Sequence, residues 1–450
     1  MLTAFVRAFQ TPDLRKKMLV TLALIALFRF GASLPTPGIA EKNVAYCSNL
    51  ATSAGSSTAG VLAIVNLLSG QALLRLSVFA LGIMPYITAS IILQLLTVVI
   101  PRLETLKQEG QAGQARITQY TRYLTVGLAV LQSTGYIELA RSGTLFSGCG
   151  ASGSANALIP NGGIFNITTM VICMVAGTTV IMWMGELITD RGVGNGMSVL
   201  IFTTVISVIP GEILAIYRDK SAFYAGVAIL VVIAIVAFIV FMEQAQRRIP
   251  VQYAKRMVGR RMYGGTSTYI PMKVNQAGVI PVIFASSLLY IPTLGAQLFG
   301  NTTKPQGWVS WVERYLAQGT SSSSLSTGGF YMLLFFLLII GFTYFYVSIT
   351  FNPTEVADNM KKYGGFIPGI RPGRPTAEYL SYVLSRLTAP GSFYLGVIAL
   401  FPLVALTAIG VGQQFPFSGV SLLIMVGVGL DTVKQIESQL QQRNYEGFLR

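Results

Sequence analysis

The chain has 450 residues, of which 52% are hydrophobic and 11% are charged. Soluble globular domains carry roughly 25% charged residues, so this composition excludes a soluble globular protein and predicts a polytopic membrane protein. The net charge is +15, histidine is absent, and the three cysteines lack the spacing of a metal site. The usual metal ligand and the usual general base near neutral pH are therefore missing, and no cofactor is expected.

Ten membrane spans can be drawn in chain order, at 18–34, 80–100, 119–137, 164–185, 197–217, 222–242, 276–299, 329–351, 391–412 and 418–436. The first follows a basic N-terminus, as in a signal peptide, but its length and the many later spans indicate a retained helix. Between the first two spans, 61–68 is apolar but too short to cross a bilayer. This segment predicts a short helix that folds back into the protein or lies on its surface.

The second span, Ala80–Ile100, carries no charge over 21 residues, and Pro85 is expected to bend or loosen its first turn. Apolar residues recur every four positions along it, namely Ile83, Ile87, Ile91 and Leu95. A neighbouring row is polar, namely Tyr86, Ser90, Gln94 and Thr97. Polar groups in hydrocarbon need a partner helix or a water-filled path, so this helix is predicted to line one or the other.

The basic residues predict the topology. With the N-terminus inside, inner segments hold 24 Lys and Arg residues and outer segments hold 6, which places both termini in the cytoplasm. Five spans then precede the midpoint and five follow it, so the second half enters the membrane inverted relative to the first. The predicted halves are 1–217 and 218–450. No clear internal repeat is present, so this inversion rests on counting alone.

Two inner loops are unusually long, 244–274 and 352–390, and both are rich in Arg and Lys. They could be ordinary positive-inside anchors, but anchoring needs charge near the span ends rather than protruding loops of about 30 residues. The alternative is a docking platform for an acidic partner or one rich in nucleic acid.

Missing motifs narrow the function further. The sequence has no phosphate-binding loop of the G-x-x-x-x-G-K-[ST] type, so ATP hydrolysis by that mechanism is not expected. All 17 acidic residues fall in loops or near span ends, which argues against a proton-coupled transporter. Three functions are compatible with this architecture: a protein-conducting channel, an inverted-repeat solute transporter, and a ribosome-attachment scaffold without conduction. A sodium-coupled transporter is weakened but not excluded, because backbone carbonyls at broken helices could bind the sodium ion. A scaffold would need neither the second span with its polar and apolar rows nor the folded-back segment, and both are present.

Several long motifs occur in order along most of the chain. They include SVFALGIMPYITASIILQLLTVV (77–99), QYTRYLT (119–125), GELITDRGVGNGMSVLIF (185–202), QRRIPVQYAKR (246–256), KVNQAGVIPVIFASSLL (273–289), NPTEVADNMKKYGGFIPGIRPG (352–373) and SRLT (385–388). Through them the chain resembles the SecY family, the channel subunits of bacterial Sec protein translocases. The outer loops and the region 58–76 match less well.

The resemblance implies an all-α membrane protein with ten transmembrane helices in two inverted five-helix halves around an hourglass pore. It implies a passive channel in the cytoplasmic membrane that translocates unfolded secretory polypeptides and releases membrane segments sideways through a lateral gate. A constriction ring is carried over onto Ile83, Ile87, Met197, Ile201, Ile283 and Ile424. Such a ring offers no binding site and dewets when empty, although each residue alone could serve only helix packing.

The region of about 58–76 resembles the plug that blocks the outer funnel of these channels. The lateral gate is expected between the second and third spans and the seventh and eighth. Its polar candidates are Thr88, Gln94, Gln132, Asn275, Ser286 and Ser287. Hydrogen bonds at mid-membrane contribute on the order of 0.6 kcal/mol each, which suits a gate that must open for an apolar signal sequence.

The two basic loops match the family's docking loops, and the expected contact residues are Lys255, Arg256, Arg260, Arg261 and Arg371. Arg371 could instead only cap a carbonyl of its own loop. The resemblance implies as partners SecE and SecG subunits, a SecA motor ATPase that hydrolyses ATP, the ribosome with its nascent chain, signal sequences, membrane lipid, and accessory insertion and Sec-associated membrane proteins. Cys47 and Cys149 fall in predicted outer loops and could form a disulfide, whereas Cys173 is expected to serve packing.

Overall fold

The structure is a computed structural model that describes residues 11–40, 43–44, 72–73, 76–141, 158–160, 162–219, 222–253, 256–258, 261–263, 267–299, 307–316, 325–408 and 419–446. Its first half contains α1 (Pro12–Ser33), α2 (Met84–Val99), α3 (Pro101–Gln108), α4 (Gln111–Arg141), α5 (Ile164–Arg191) and α6 (Gly196–Asp219). Its second half contains α7 (Ala222–Gln244), β1 (Gln246–Tyr253), β2 (Arg256–Val258), β3 (Arg261–Tyr263), β4 (Ser267–Lys273), α8 (Ile280–Phe299), α9 (Gly307–Tyr315), α10 (Leu325–Thr350), α11 (Pro353–Lys362), β5 (Gly365–Phe366), α12 (Arg374–Ala408) and α13 (Gly419–Glu446).

A helix overlaps each of the ten predicted spans. Among the described residues, four helical segments are long and apolar enough to cross a membrane: Ile164–Arg191, Gly329–Lys362, Arg374–Phe401 and Gly419–Gln441. The bent pair α2 and α3, which turns by 105°, would make a fifth. These are properties of a multi-pass membrane protein, while the count of ten spans stays a prediction.

The second predicted span begins later than expected. The helix starts at Met84, and residues 76–83 form turns that end with Gly82 at φ +56°. Pro85 therefore occupies the first turn of α2, where its missing N–H costs nothing, and it does not bend a longer helix. The apolar row of this span faces the core: Ile83 and Ile91 are buried, and Ile87 and Leu95 pack against the same cluster.

The first long inner loop is a β-hairpin, which the all-α prediction missed. β1 pairs antiparallel with β4, with Ile249 opposite Ile270, while β2 and β3 pair farther out. β5, from the second long loop, pairs with the other edge of β1 and completes a three-stranded sheet. Ile249 and Val251 point to the buried face, and Pro250 between them is exposed, so the hairpin has one apolar side.

The hairpin rests on the second long loop, which is mostly helical. Ile249 and Met272 join a buried cluster with Leu380, Val383 and Leu384 of α12. This packing explains why α12 begins at Arg374, ahead of the predicted start of its span at 391. The predicted loop 352–390 is therefore corrected: it contains α11, β5, a turn at 367–373 and the first turns of α12.

The two halves of the described chain meet along two seams. On one side α8 contacts both α2 and α4. On the other side α6 contacts α7 and α13. One large hydrophobic cluster spans both halves and includes side chains from α2, α6, α8 and α13, and also from α1, α5, α7, α9, α10 and α12.

Candidate functional site

Four of the six predicted ring residues belong to the large hydrophobic cluster, and the other two pack against it. Ile83, Ile201, Ile283 and Ile424 are at most 8% exposed. Ile87 and Met197 are partly buried and pack against the same cluster. Four separate chain segments thus bring aliphatic side chains to one region. None of these six side chains carries a charge that could bind an ion.

Met197 is held in place by an unusually close approach of α5 and α6. A Cβ added to Gly185 would lie 2.4 Å from the Met197 sulfur, and one added to Gly196 would lie 1.8 Å from the Gly185 carbonyl oxygen. Thr189 reinforces the turn between these helices, since its hydroxyl accepts from Gly196 N at 2.9 Å and donates to Gly185 O at 3.0 Å. Two glycines therefore set the distance between α5 and α6 at the position of a candidate ring residue.

The seam formed by α8 with α2 and α4 corresponds to the predicted lateral gate. Thr88 donates to Met84 O at 2.6 Å and Ser286 donates to Ile283 O at 2.9 Å, both within their own helices. Gln94 is exposed, Gln132 is partly exposed, and the hydroxyl of buried Ser287 has no partner in the described structure. In the part of the chain that the structure describes, no hydrogen bond of the six predicted gate residues joins α8 to α2 or α4.

Asn275, the remaining gate candidate, lies just before the start of α8. Its side chain is buried and its Nδ2 donates to Glu243 Oε1 of α7 at 2.6 Å. The resemblance to the SecY family placed Asn275 among the gate candidates, and that assignment stays a prediction; its hydrogen bonds lie within the second half.

An apolar cavity of about 360 Å³ opens between α2 and α10, beside the gate seam. Its walls are Leu95, Leu337, Leu338, Gly341, Phe342 and Phe345. Phe342 also stacks with Phe284 of α8, with ring centroids 5.3 Å apart. Sequence reasoning selected polar residues for this region and missed these apolar ones, although Leu95 already belonged to the apolar row of the second span.

An ion pair joins two of the sequence motifs. Arg122 of α4 donates from Nε and Nη2 to the two carboxylate oxygens of Glu186 on α5, at 2.8 and 2.7 Å. Arg122 lies in QYTRYLT and Glu186 in GELITD, so the structure gives both motifs a shared contact. Their sequence separation of 64 residues left no local signal for this pairing.

The structure describes three of the five predicted docking residues. Arg256 lies in β2 and Arg261 in β3, whereas Lys255 and Arg260 fall outside the described residues. Arg371 is exposed in the turn 367–373, and its carbonyl oxygen accepts from the Thr376 hydroxyl at 2.9 Å. Among the described residues its guanidinium caps no carbonyl.

Sequence reasoning missed two further basic residues of the hairpin. Arg247 and Arg248 on β1 are both exposed, and the Arg248 guanidinium lies 4.8 Å from the centre of the Tyr269 ring. The dense Arg and Lys content of this loop was the only available signal.

Two other predictions fall largely outside the described structure. Of the plug region 58–76, the structure describes only residues 72, 73 and 76. Cys47 and Cys149 both lie outside the described residues, so their disulfide stays a prediction. Cys173 lies in α5 as a free, partly buried thiol.

Comparison with known proteins identifies the family. The SecY family model matches residues 77–433. Relatives called protein translocase subunit SecY include those of Streptomyces coelicolor, 62% identical over 454 residues, and Mycobacterium tuberculosis H37Rv, 56% identical over 452 residues; each alignment covers 100% of both chains.

Solved structures share the fold. One described as "The structure of a protein conducting channel" has a TM-score of 0.63 at 16% identity, covering 94% of this chain and 92% of that chain. Another, "Sec61 in the Canine ribosome-channel complex from the endoplasmic reticulum", has a TM-score of 0.59 at 15% identity and the same coverage. With the family model and the full-length relatives, the conclusion is that this chain belongs to the SecY family.

Proposed function

We propose that this protein is a protein-conducting channel, which translocates unfolded secretory polypeptides across the cytoplasmic membrane and releases transmembrane segments into lipid through a lateral gate. The proposal rests on six aliphatic side chains from both halves that lie in or against one hydrophobic cluster. A flexible aliphatic constriction can seal an empty pore by dewetting and can close around a passing chain of any sequence. The channel is passive, and a separate SecA motor supplies ATP hydrolysis.

The decisive experiment crosslinks a translocating chain to the ring. Photoreactive residues are introduced singly at Ile83, Ile201 and Ile424, and a secretory chain is arrested in the channel. All three positions are expected to react, because a ring of aliphatic side chains that closes around a passing polypeptide would touch it from several helices. The control carries the same probe at Ile235 of α7 and should not react. Ile235 belongs to the same cluster and is 6% exposed, as Ile201 is. Reaction at Ile235 but not at the three ring positions would contradict the proposal.

The proposed topology has both termini in the cytoplasm and ten transmembrane helices. The halves 1–217 and 218–450 form the two sides of an hourglass pore, with a plug at about 58–76. The placement of basic residues supports this orientation.

The proposed lateral gate is the seam of α8 against α2 and α4, together with α10. The cavity walled by Leu95 and Phe342 supports it, because an apolar signal sequence needs apolar walls. Thr88 and Ser286 bond within their own helices, so parting the seam would break neither bond. Ser287, Gln94 and Gln132 are the remaining polar side chains proposed for this gate.

The β-hairpin and the turn 367–373 form the proposed docking surface for SecA and for the translating ribosome. Support comes from exposed cations on one sheet, with Arg247 and Arg248 on β1 and Arg371 in the adjoining turn. Ribosomal RNA would be met through its phosphates, without base reading. SecE and SecG subunits, signal sequences, lipid, and accessory insertion and Sec-associated membrane proteins complete the proposed partners.

Reversing the charge of Arg371 tests the docking surface. Arg371→Glu is expected to leave membrane insertion of the protein intact and to weaken SecA binding by at least about tenfold, because a lost charge-assisted hydrogen bond costs about 1.5–3 kcal/mol. Arg374→Glu is the matched control: Arg374 lies three residues away and pairs with exposed Glu378 at 3.0 Å. Its effect on SecA binding is expected to be smaller, because the Arg374 guanidinium already has a carboxylate partner within its own helix. Equal losses in the two variants would show that only net charge matters.

A further inference from the structure

The root of the β-hairpin is a buried polar joint that leads directly into α8. Val274 N donates to Ala245 O at 3.0 Å and closes the hairpin behind β4. The next residue, Asn275, is 4% exposed and donates from Nδ2 to Glu243 Oε1 at 2.6 Å and to Gly278 O at 3.2 Å. One amide group therefore ties the end of α7 to the turn that begins α8.

Two more helices hold the same short segment. On α12, a Cβ added to Gly391 would lie 2.4 Å from Val274 O, so helix and backbone are in direct contact. On α13, Asp431 lies 3.5 Å from Lys273 Nζ at the end of β4. The hairpin root thus contacts α7, α12 and α13, and through Asn275 and Gly278 it continues directly into the start of α8.

Packing alone does not require an acid at this position. Glu243 is 9% exposed, and removing a carboxylate from water is costly, so apolar residues of similar volume often serve stability equally well. What a buried pair can add is a defined orientation between the two groups it joins. Here those groups belong to the proposed docking hairpin and to the helix that carries Ile283, Ser286 and Ser287.

We propose that the Glu243–Asn275 hydrogen bond is the joint through which a partner docked on the β-hairpin moves α8, and with it the gate seam and the ring. The inference rests on the proposed function and adds a mechanical link between two of its parts. Glu243 is then a positioning residue: it touches neither the translocating chain nor the partner, and it acts through Asn275.

The test separates docking from its consequence. Channels carrying Glu243→Leu are reconstituted with SecA and an unfolded secretory precursor, and SecA affinity is measured beside SecA-stimulated translocation. Affinity is expected to stay at the wild-type value, while stimulation falls by about tenfold, within the usual range for coupling between two sites. Glu243→Gln keeps an acceptor for the Asn275 amide and should restore stimulation, although it removes the charge.

A reciprocal exchange covers the case in which Glu243→Leu does not fold. Asn275→Asp sets two carboxylates against each other and should uncouple the channel. The double variant Glu243→Gln with Asn275→Asp keeps shape and net charge, restores one hydrogen bond in the opposite direction, and should recover part of the stimulation. The backbone amides of 274–279 should exchange hydrogen faster in Asn275→Asp. In the double variant their exchange should become slow again.

The control is Glu378→Ala, which breaks the exposed pair with Arg374 on α12 and should change neither quantity. Normal stimulation in Glu243→Leu, or a parallel loss of affinity and stimulation, would overturn the joint. A wild-type channel that neither binds nor responds to SecA would overturn the docking proposal itself, and the joint with it.

Discussion

Replacing Gly196 with alanine is expected to prevent stable assembly of the protein. The new Cβ would lie 1.8 Å from Gly185 O, an atom of the α5 backbone, so two packed helices would have to separate. Overpacking typically costs about 1–3 kcal/mol, occasionally more, and a backbone neighbour that cannot change rotamer places this site at the upper end. The measurements are abundance in the membrane and the thermal unfolding midpoint in detergent.

Gly185→Ala is the matched comparison, because its Cβ would meet a flexible side chain. The nearest atoms are Sδ and Cε of Met197, at 2.4 and 2.8 Å. This variant is expected to assemble with Met197 displaced, and Met197→Ala in the same chain should restore the unfolding midpoint. The same second change should not rescue Gly196→Ala. Rescue of both variants, or of neither, would contradict this account of how α5 and α6 approach.

Asparagine at a ring position is expected to raise the ion conductance of the resting channel. Ile201 and Ile424 are 6% and 2% exposed within the shared cluster. An amide buried there without a partner costs about 1–3 kcal/mol, and hydration of the constriction would recover that energy. The hydrated population should therefore grow by about 5- to 150-fold, which single-channel recording in planar bilayers measures directly.

Two controls accompany this experiment. Ile201→Leu keeps the ring aliphatic and should leave the conductance low. Ile235→Asn places the same amide at an equally buried position on α7, 6% exposed, and should lower stability without opening an ion path. If Ile235→Asn raises conductance as much as Ile201→Asn does, the effect comes from loosened packing and the ring assignment fails.

Sequence reasoning predicted where the helices lie better than where they end. Long apolar runs placed a helix at every predicted span, because burial in lipid or in a helical core requires the same apolar composition. The helix ends depended on contacts that are distant in sequence. α12 begins at Arg374 because Leu380, Val383 and Leu384 pack against the hairpin, a contact that a hydropathy window does not register.

The strands were missed for a related reason. QRRIPVQY and STYIPMK each contain only a short apolar alternation and a proline, which weakens any local strand signal. Their pairing, with Ile249 opposite Ile270, becomes favourable only when the apolar face of the sheet is covered by α12. Proline is tolerated at Pro250 because β5 pairs with β1 only at Gln252 and Tyr253.

Composition alone marks this chain as a membrane protein, and the order of its motifs is that of the SecY family. Composition and motif order are properties of the chain and need no coordinates. Three contacts become visible only in the folded chain: Arg122 pairs with Glu186, Asn275 bonds to Glu243, and Met197 rests on Gly185. Each of these contacts depends on the distance and orientation between packed elements, which periodicity and hydropathy do not encode.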